Sequence, residues 1–98
     1  MTDDAPEGLA STFLMLRRAY PQGLPNADYM PLLLAIGEEM SERQLATAIA
    51  LLFERSQAEV RNDSAAAQSP RKPSSEEVAR VRSHLRLFGY DEWVASDE

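Results

Sequence analysis

The residues best suited to chemistry are one histidine and two pairs of adjacent acids. His84 is the only imidazole and cysteine is absent, which excludes disulfides, thiolate nucleophiles and histidine-rich metal sites. A general base needs an oriented partner, whereas His84 lies about 80° from the apolar stripe of its predicted helix. Glu38-Glu39 and Asp3-Asp4 are sequence neighbours, which point ~100° apart on a helix. We therefore expect no shared substrate site and no enzyme.

The serines and glycines form no recognised catalytic or nucleotide-binding motif. Serines occur at Ser64, Ser69, Ser74 and Ser75, without the Gly-x-Ser-x-Gly turn that exposes a nucleophile. The chain also has no phosphate-binding loop and no dinucleotide glycine fingerprint. We expect no cofactor and no metal.

Nucleic-acid binding is an alternative, because the second and third predicted helices are spaced like a helix-turn-helix. The basic cluster lies outside that pair, at Arg71, Lys72, Arg80, Arg82 and Arg86. Arg80 falls on one flank of the last helix, and Arg82 and Arg86 fall on the other, so one groove would not meet all three. The net charge of −6 also opposes phosphate contacts. A weak nucleic-acid-binding regulator is therefore the second hypothesis.

The elements that must position these residues are helices. The 98 residues suit a single domain, and the apolar residues recur with helical rather than alternating periodicity. The sequence predicts an all-α compact bundle of four to five helices over about 6–20, 26–37, 41–56 and 74–88, with at most one short helical turn within 57–70. Residues 57–73 contain one sizeable apolar residue, Val60, and are predicted to be a mobile connector. Residues 95–98 are predicted to fray.

Local signals place the helix boundaries. Pro6 suits the first turn of the first helix. Asn26 or Asp28 could cap the second helix, and Asp28 is favoured because Pro31 then falls in the first turn. Two capping boxes begin the third and last helices: Ser41 with Gln44, and Ser74 with Glu77.

Two leucines point away from the apolar stripes of their helices. Leu51 and Leu87, together with Trp93, form a candidate partner surface. The alternative is that a bundle of four or five helices uses both faces of its central members. Because recognition of another protein is the commonest use of a small helical domain without a catalytic site, we expect a non-catalytic interaction or accessory protein.

A proline-rich segment over 19–34 resembles the signature of the DUF3349 family, small conserved hypothetical proteins of mycobacteria and related actinobacteria. The family pattern is Tyr-Pro-x-Gly-[Val/Leu]-Pro-x-x-Asp-Tyr-[aliphatic]-Pro-Leu-Leu. It matches at Tyr20, Pro21, Gly23, Leu24, Pro25, Asp28, Tyr29, Pro31, Leu32 and Leu33. Residues 75–89, followed by Tyr90, are similar to the family's last helix. The resemblance implies a bundle of about five helices and no established activity, and the alanines and prolines of 57–73 depart from the family's connection.

The signature also has a physical interpretation as a structural corner. Its members are Tyr20, Pro21, Gly23, Pro25, Asp28, Tyr29 and Pro31. Two tyrosines flanking a proline-rich turn can fix it by stacking and by hydroxyl bonds to free carbonyls. A ligand or partner surface at the same corner is the alternative.

The expected setting is the cytoplasm. The first residues are acidic, whereas a signal peptide begins basic and turns apolar, and no apolar run approaches the ~20 residues of a membrane span. We expect a monomer with an unknown protein partner, no membrane association and no nucleic acid.

Overall fold

Six helices make up the part of the chain that the computed structural model describes, residues 10–69 and 73–96. They are α1 (Ala10–Ala19), α2 (Asn26–Gly37), α3 (Glu42–Phe53), α4 (Gln57–Ala67), α5 (Ser75–Arg86) and α6 (Tyr90–Ser96). Within these residues there is no strand, and the radius of gyration of 12.6 Å is that of a compact domain of about 100 residues. The predicted all-α compact bundle is confirmed.

Helix α2 lies at the centre because it is apolar almost all round. Leu32, Leu33, Ala35 and Ile36 are all buried, and α2 packs against α3, α4 and α5. A helix without a polar face has to be covered on several sides. Helix α1 closes the bundle against α3, α5 and α6.

Both predicted capping boxes are present. The Ser41 and Ser74 hydroxyls each accept the backbone N–H three residues ahead, at 3.1 Å. Helix α3 ends at Phe53, earlier than the predicted 56. It ends there because Glu54 adopts a left-handed conformation, with φ of 58°, and the Arg55 N–H turns back to the Ala50 carbonyl at 3.2 Å.

The predicted cap of α2 is wrong. The helix begins after Pro25, in extended conformation, and no side chain caps it. Asn26 is the first helical residue, and the Asp28 carboxylate instead accepts a hydrogen bond from Tyr20 at 3.0 Å. Pro31 therefore lies in the second turn of α2, not the first.

The predicted connector over 57–73 is corrected by α4, which is an eleven-residue helix rather than one turn. The Ser56 hydroxyl caps it through the Glu59 N–H at 2.9 Å. Val60, Ser64 and Ala67 are its buried residues, spaced i, i+4 and i+7. Small side chains at helical spacing let two backbones approach closely, so α4 packs on α2 and α3 with little apolar surface.

Helix α6 is the sixth helix, which the sequence did not predict. It follows Gly89, whose φ of 99° is left-handed. Two residues attach it to the bundle: Tyr90 is buried, and the Trp93 Nε1 donates to Thr12 at 2.8 Å. Helix α6 ends at residue 96, and residues 97–98 of the tail predicted to fray over 95–98 lie outside the described residues.

Some of the predictions concern residues outside the described ranges. The start of the first helix at Pro6, the acids Asp3 and Asp4, and the bases Arg71 and Lys72 all lie there. Over the two described ranges, no helix has both the length and the apolar character that crossing a membrane requires.

Candidate functional site

The signature forms a tight corner between α1 and α2, which we call the proline corner (residues 20–31). Its turn is closed by the Gly23 N–H, which donates to the Tyr20 carbonyl at 3.2 Å. Gly23 has a φ of 105°, a conformation that costs other residues free energy. Pro21 and Pro25 restrict the remaining turn torsions. The corner therefore has little conformational freedom.

The side of the corner that faces the bundle, its inner face, is closed by a polar network. The Tyr20 hydroxyl donates to Asp28 Oδ2 at 3.0 Å, and Arg80 Nη1 from α5 lies 2.9 Å from Asp28 Oδ1. Tyr20 and Asp28 are both buried. The Tyr20 ring also lies 6.4 Å from Phe53 and 5.1 Å from His84, between ring centroids. One tyrosine thus joins α1 to α2, α3 and α5.

Pro31 explains why an arginine is placed at this face. Proline has no N–H, so the Ala27 carbonyl loses its partner one turn ahead. Arg80 Nη2 donates to that carbonyl at 3.5 Å, while its Nη1 pairs with Asp28. The planar guanidinium can serve both acceptors at once. Sequence analysis named Arg80 only as part of a basic cluster.

Tyr29 extends the network to α4. Its hydroxyl donates to Asp63 Oδ2 at 2.7 Å, and the Arg55 guanidinium carbon lies 4.0 Å from the centre of its ring. Arg55 also pairs with Glu59 at 3.6 Å. The two tyrosine hydroxyls therefore bond carboxylates, not the free carbonyls expected from the sequence.

Both tyrosine hydroxyls are held in the protonated form. Burial, followed by the negative charge of Asp28 and the hydrogen bond to it, raises the pKa of Tyr20 far above its usual value. Burial and the hydrogen bond to Asp63 raise the pKa of Tyr29 in the same direction. Each hydroxyl thus remains a donor at neutral pH.

His84 has a structural partner. Its Nε2 lies 2.8 Å from the Ala19 carbonyl oxygen, and because a carbonyl only accepts, Nε2 must carry the proton. The His84 ring also contacts the rings of Tyr20 and Phe88, and its centroid lies 5.3 Å from that of Phe88. His84 therefore ties α5 to the end of α1.

The opposite side of the corner is an open groove against the end of α3, which we call the outer groove. Two cavities of about 390 and 260 Å³ share Gly23, Leu52 and Phe53 and form it. Leu51 is 54% exposed at its edge. The complete lining is Arg17, Tyr20, Pro21, Gly23, Leu24, Leu51, Leu52, Phe53, Glu54 and Arg55.

The predicted partner surface is divided between separate places. Leu51 lines the outer groove, whereas Trp93 lines a different cavity of about 240 Å³ with Leu14 and Phe88. Leu87 is 76% exposed and lines neither the outer groove nor the cavity beside Trp93. Leu87 points away from its stripe, as predicted, but this does not bring it to Leu51. The sequence pattern identified Leu51 but not the groove beside it.

A larger cavity of about 590 Å³ lies where α2 and α4 end and α5 begins. Leu33, Leu34 and Val78 supply its apolar lining. Arg82 and Glu38 also line it, and they pair with each other at 3.1 Å. Its charged groups are therefore already satisfied within the chain.

Comparisons with known proteins place the chain in one family. No curated protein and no solved structure matches the chain. The model of one family, described as "Protein of unknown function (DUF3349)", matches residues 8–93. That range contains the whole proline corner, the outer groove, and the Arg80 and Asp63 partners of the inner face. The chain therefore belongs to the DUF3349 family, whose function is unknown.

Proposed function

We propose that this protein is a non-catalytic interaction module that binds a protein partner in the outer groove. The observation that carries the proposal is Leu51, a large apolar side chain left 54% exposed at the edge of a groove. Leu52 and Phe53 in the same groove are only partly buried. Contiguous exposed apolar surface next to polar residues is typical of protein interaction sites.

The rigidity of the corner supports this proposal. Tyr20 belongs to both faces, because its hydroxyl donates to Asp28 and the residue is also part of the lining of the groove. A wall fixed before binding loses little conformational entropy when a partner arrives. The inner face would thus serve the outer groove by holding its shape.

The state of the polar residues supports a non-catalytic role. The only imidazole, His84, is committed to the Ala19 carbonyl. Glu38, one of the adjacent acids, is paired with Arg82. A general base has to face a substrate, whereas His84 lines none of the four cavities described above.

The nucleic-acid hypothesis is the weaker one. Three arginines of the predicted basic cluster pair with carboxylates: Arg80 with Asp28, Arg82 with Glu38, and Arg86 with Asp91. Paired arginines would have to exchange a carboxylate for a phosphate, which reduces the gain from counterion release. The test below separates the two hypotheses.

We also propose a monomer in the cytoplasm of an actinobacterium. The absence of cysteine fits a reducing compartment. The net charge of −6 opposes self-association. The origin rests on the family resemblance described above.

Affinity capture with matched variants tests the proposal. Tagged wild-type protein, Leu51→Asp and Leu87→Asp are incubated with native lysate, with and without nuclease. Leu87 is the control because it is more exposed than Leu51 and lines neither cavity of the groove. We expect one protein to be recovered by the wild type and by Leu87→Asp, and at least tenfold less of it by Leu51→Asp.

Three outcomes would contradict the proposal. The first is equal recovery by Leu51→Asp, and the second is equal loss with Leu87→Asp. The third is recovery that nuclease abolishes, which would favour the nucleic-acid hypothesis.

A further inference from the structure

We infer that the outer groove binds an extended acidic peptide segment, in which an aliphatic or aromatic side chain lies next to an aspartate or glutamate. This inference rests on the proposed function and names the chemistry of the partner. It is carried by the charge of the groove, by its apolar lining and by its division into two small cavities.

One cavity of the outer groove is locally positive on an acidic protein. Arg17 is the only charged residue in the lining of the larger cavity, whereas in the smaller cavity Arg55 is accompanied by Glu54 and is already paired with Glu59. Arg17 is exposed and makes no ion pair or hydrogen bond within the described residues. The whole chain carries −6, so this local excess of positive charge favours an acidic partner.

The end of α1 does not cancel this charge. A helix C-terminus carries about half a negative elementary charge. The last turn of α1 holds two arginines, Arg17 and Arg18, and the described helix has no acidic residue. Arg18 lines a different cavity, so α1 contributes to the groove the charge of Arg17, which the helix end offsets only in part.

The lining gives an apolar side chain a place beside that charge. Leu51 and Arg17 line the same cavity, together with Pro21. A peptide with an apolar residue next to a carboxylate can contact Leu51 and pair with Arg17 at the same time. Arginine and aromatic side chains in such patches contribute strongly to binding.

The groove favours an extended segment. Its two cavities of about 390 and 260 Å³ meet at Gly23, Leu52 and Phe53, so consecutive side chains can enter them separately.

The test uses two synthetic pools of eight-residue peptides with the full-length chain. In the acidic pool, every peptide has Leu or Phe next to Asp or Glu. In the matched basic pool, Lys replaces each acid. Binding is followed by shifts of the backbone amide signals in ¹⁵N–¹H NMR spectra, and affinities are measured at low and high salt.

We expect the acidic pool to shift the amide signals of Arg17, Leu51 and Phe53. Arg17→Glu should weaken binding at least tenfold, and added salt should weaken wild-type binding. Arg43→Glu is the matched control, since Arg43 is exposed at the start of α3 and does not line the groove. It should bind like the wild type.

The remaining outcomes overturn the inference in distinguishable ways. Equal binding of the basic pool at these residues would overturn the acidic specificity and leave the proposed function standing. Absence of shifts at the groove would overturn the peptide chemistry, and the capture experiment then decides the proposed function separately. Concentration-dependent shifts without peptide, with sedimentation as a dimer, would make a second copy the occupant and overturn the inference.

Discussion

The two faces of the proline corner differ in how completely their groups are satisfied. On the inner face the polar groups are paired: Tyr20 with Asp28, Asp28 with Arg80, and Arg80 with the Ala27 carbonyl. On the outer groove, Leu51 is more than half exposed. The proline corner therefore has one side whose polar groups are paired and buried and another side that is exposed to solvent.

The difference between the two faces predicts which substitutions should lower the free energy of unfolding. A buried polar group that loses its partner keeps its desolvation penalty without compensation. An exposed side chain that is replaced loses little, because water already surrounds it. The inner face should therefore control folding stability, whereas the outer groove should control binding alone. Each prediction below tests that division.

The largest expected effect comes from Asp28→Ala. This change leaves the buried Tyr20 hydroxyl without an acceptor and Arg80 without its carboxylate. The unpaired hydroxyl costs about 1–3 kcal/mol, and the half-exposed ion pair adds at most ~1 kcal/mol. We expect a loss of about 2–3 kcal/mol in the free energy of unfolding, measured by urea denaturation.

Asp91→Ala is the matched control for Asp28→Ala. Asp91 also pairs with an arginine, at 3.4 Å, but its side chain is 76% exposed. Its removal should change the free energy of unfolding by no more than about 0.5 kcal/mol. If both variants lose the same amount, burial of the corner network is not the source of its stability.

Alkaline pH should lower the stability that the two corner tyrosines contribute. The folded state raises the pKa of Tyr20 and Tyr29 above the unfolded value of 10.0, so both contribute full stability below about pH 10. Above that pH the unfolded chain releases protons that the folded chain retains, and stability falls by up to about 1.4 kcal/mol per pH unit for each tyrosine. Urea denaturation between pH 9 and 11 measures this slope. An unchanged slope in Tyr29→Phe would contradict the assignment of half the effect to Tyr29.

Tyr29→Phe should have a smaller effect at neutral pH. It removes the hydrogen bond to Asp63 and keeps the ring beneath Arg55, at a cost of about 1 kcal/mol. Because that bond joins α2 to α4, amide hydrogen exchange should accelerate in α4 more than in α5.

Tyr90→Phe provides the comparison for Tyr29→Phe. Its hydroxyl lies 3.4 Å from the Ala35 carbonyl, which is longer than the 2.7 Å bond of Tyr29. We expect the smaller loss from Tyr90→Phe. Uniform acceleration of exchange in Tyr29→Phe would mean that the hydrogen bond does not hold α4 in particular.

The sequence predicted the elements with strong local signals. The two capping boxes each depend on residues three positions apart, and both are present. The role of the corner was recognisable because Tyr20 and Asp28 are only eight residues apart. Local patterns of this kind are visible before any tertiary contact is known.

The features that were missed depend on distant contacts. Tyr29 bonds Asp63, 34 residues away, in a segment interpreted as a connector because its buried residues are small. Arg80 reaches the Ala27 carbonyl across 53 residues. Pro31 signals that this carbonyl needs a donor, but no pattern in the chain specifies which side chain provides it.

The most direct test of the two-face account is a side-by-side measurement of unfolding free energy for the wild type, Leu51→Asp and Asp28→Ala. We expect Leu51→Asp to remain within about 0.5 kcal/mol of the wild type while Asp28→Ala loses several times as much. An equal loss of unfolding free energy in Leu51→Asp and Asp28→Ala would contradict the account. Leu51 would then stabilise the fold and would not be surface available to a partner.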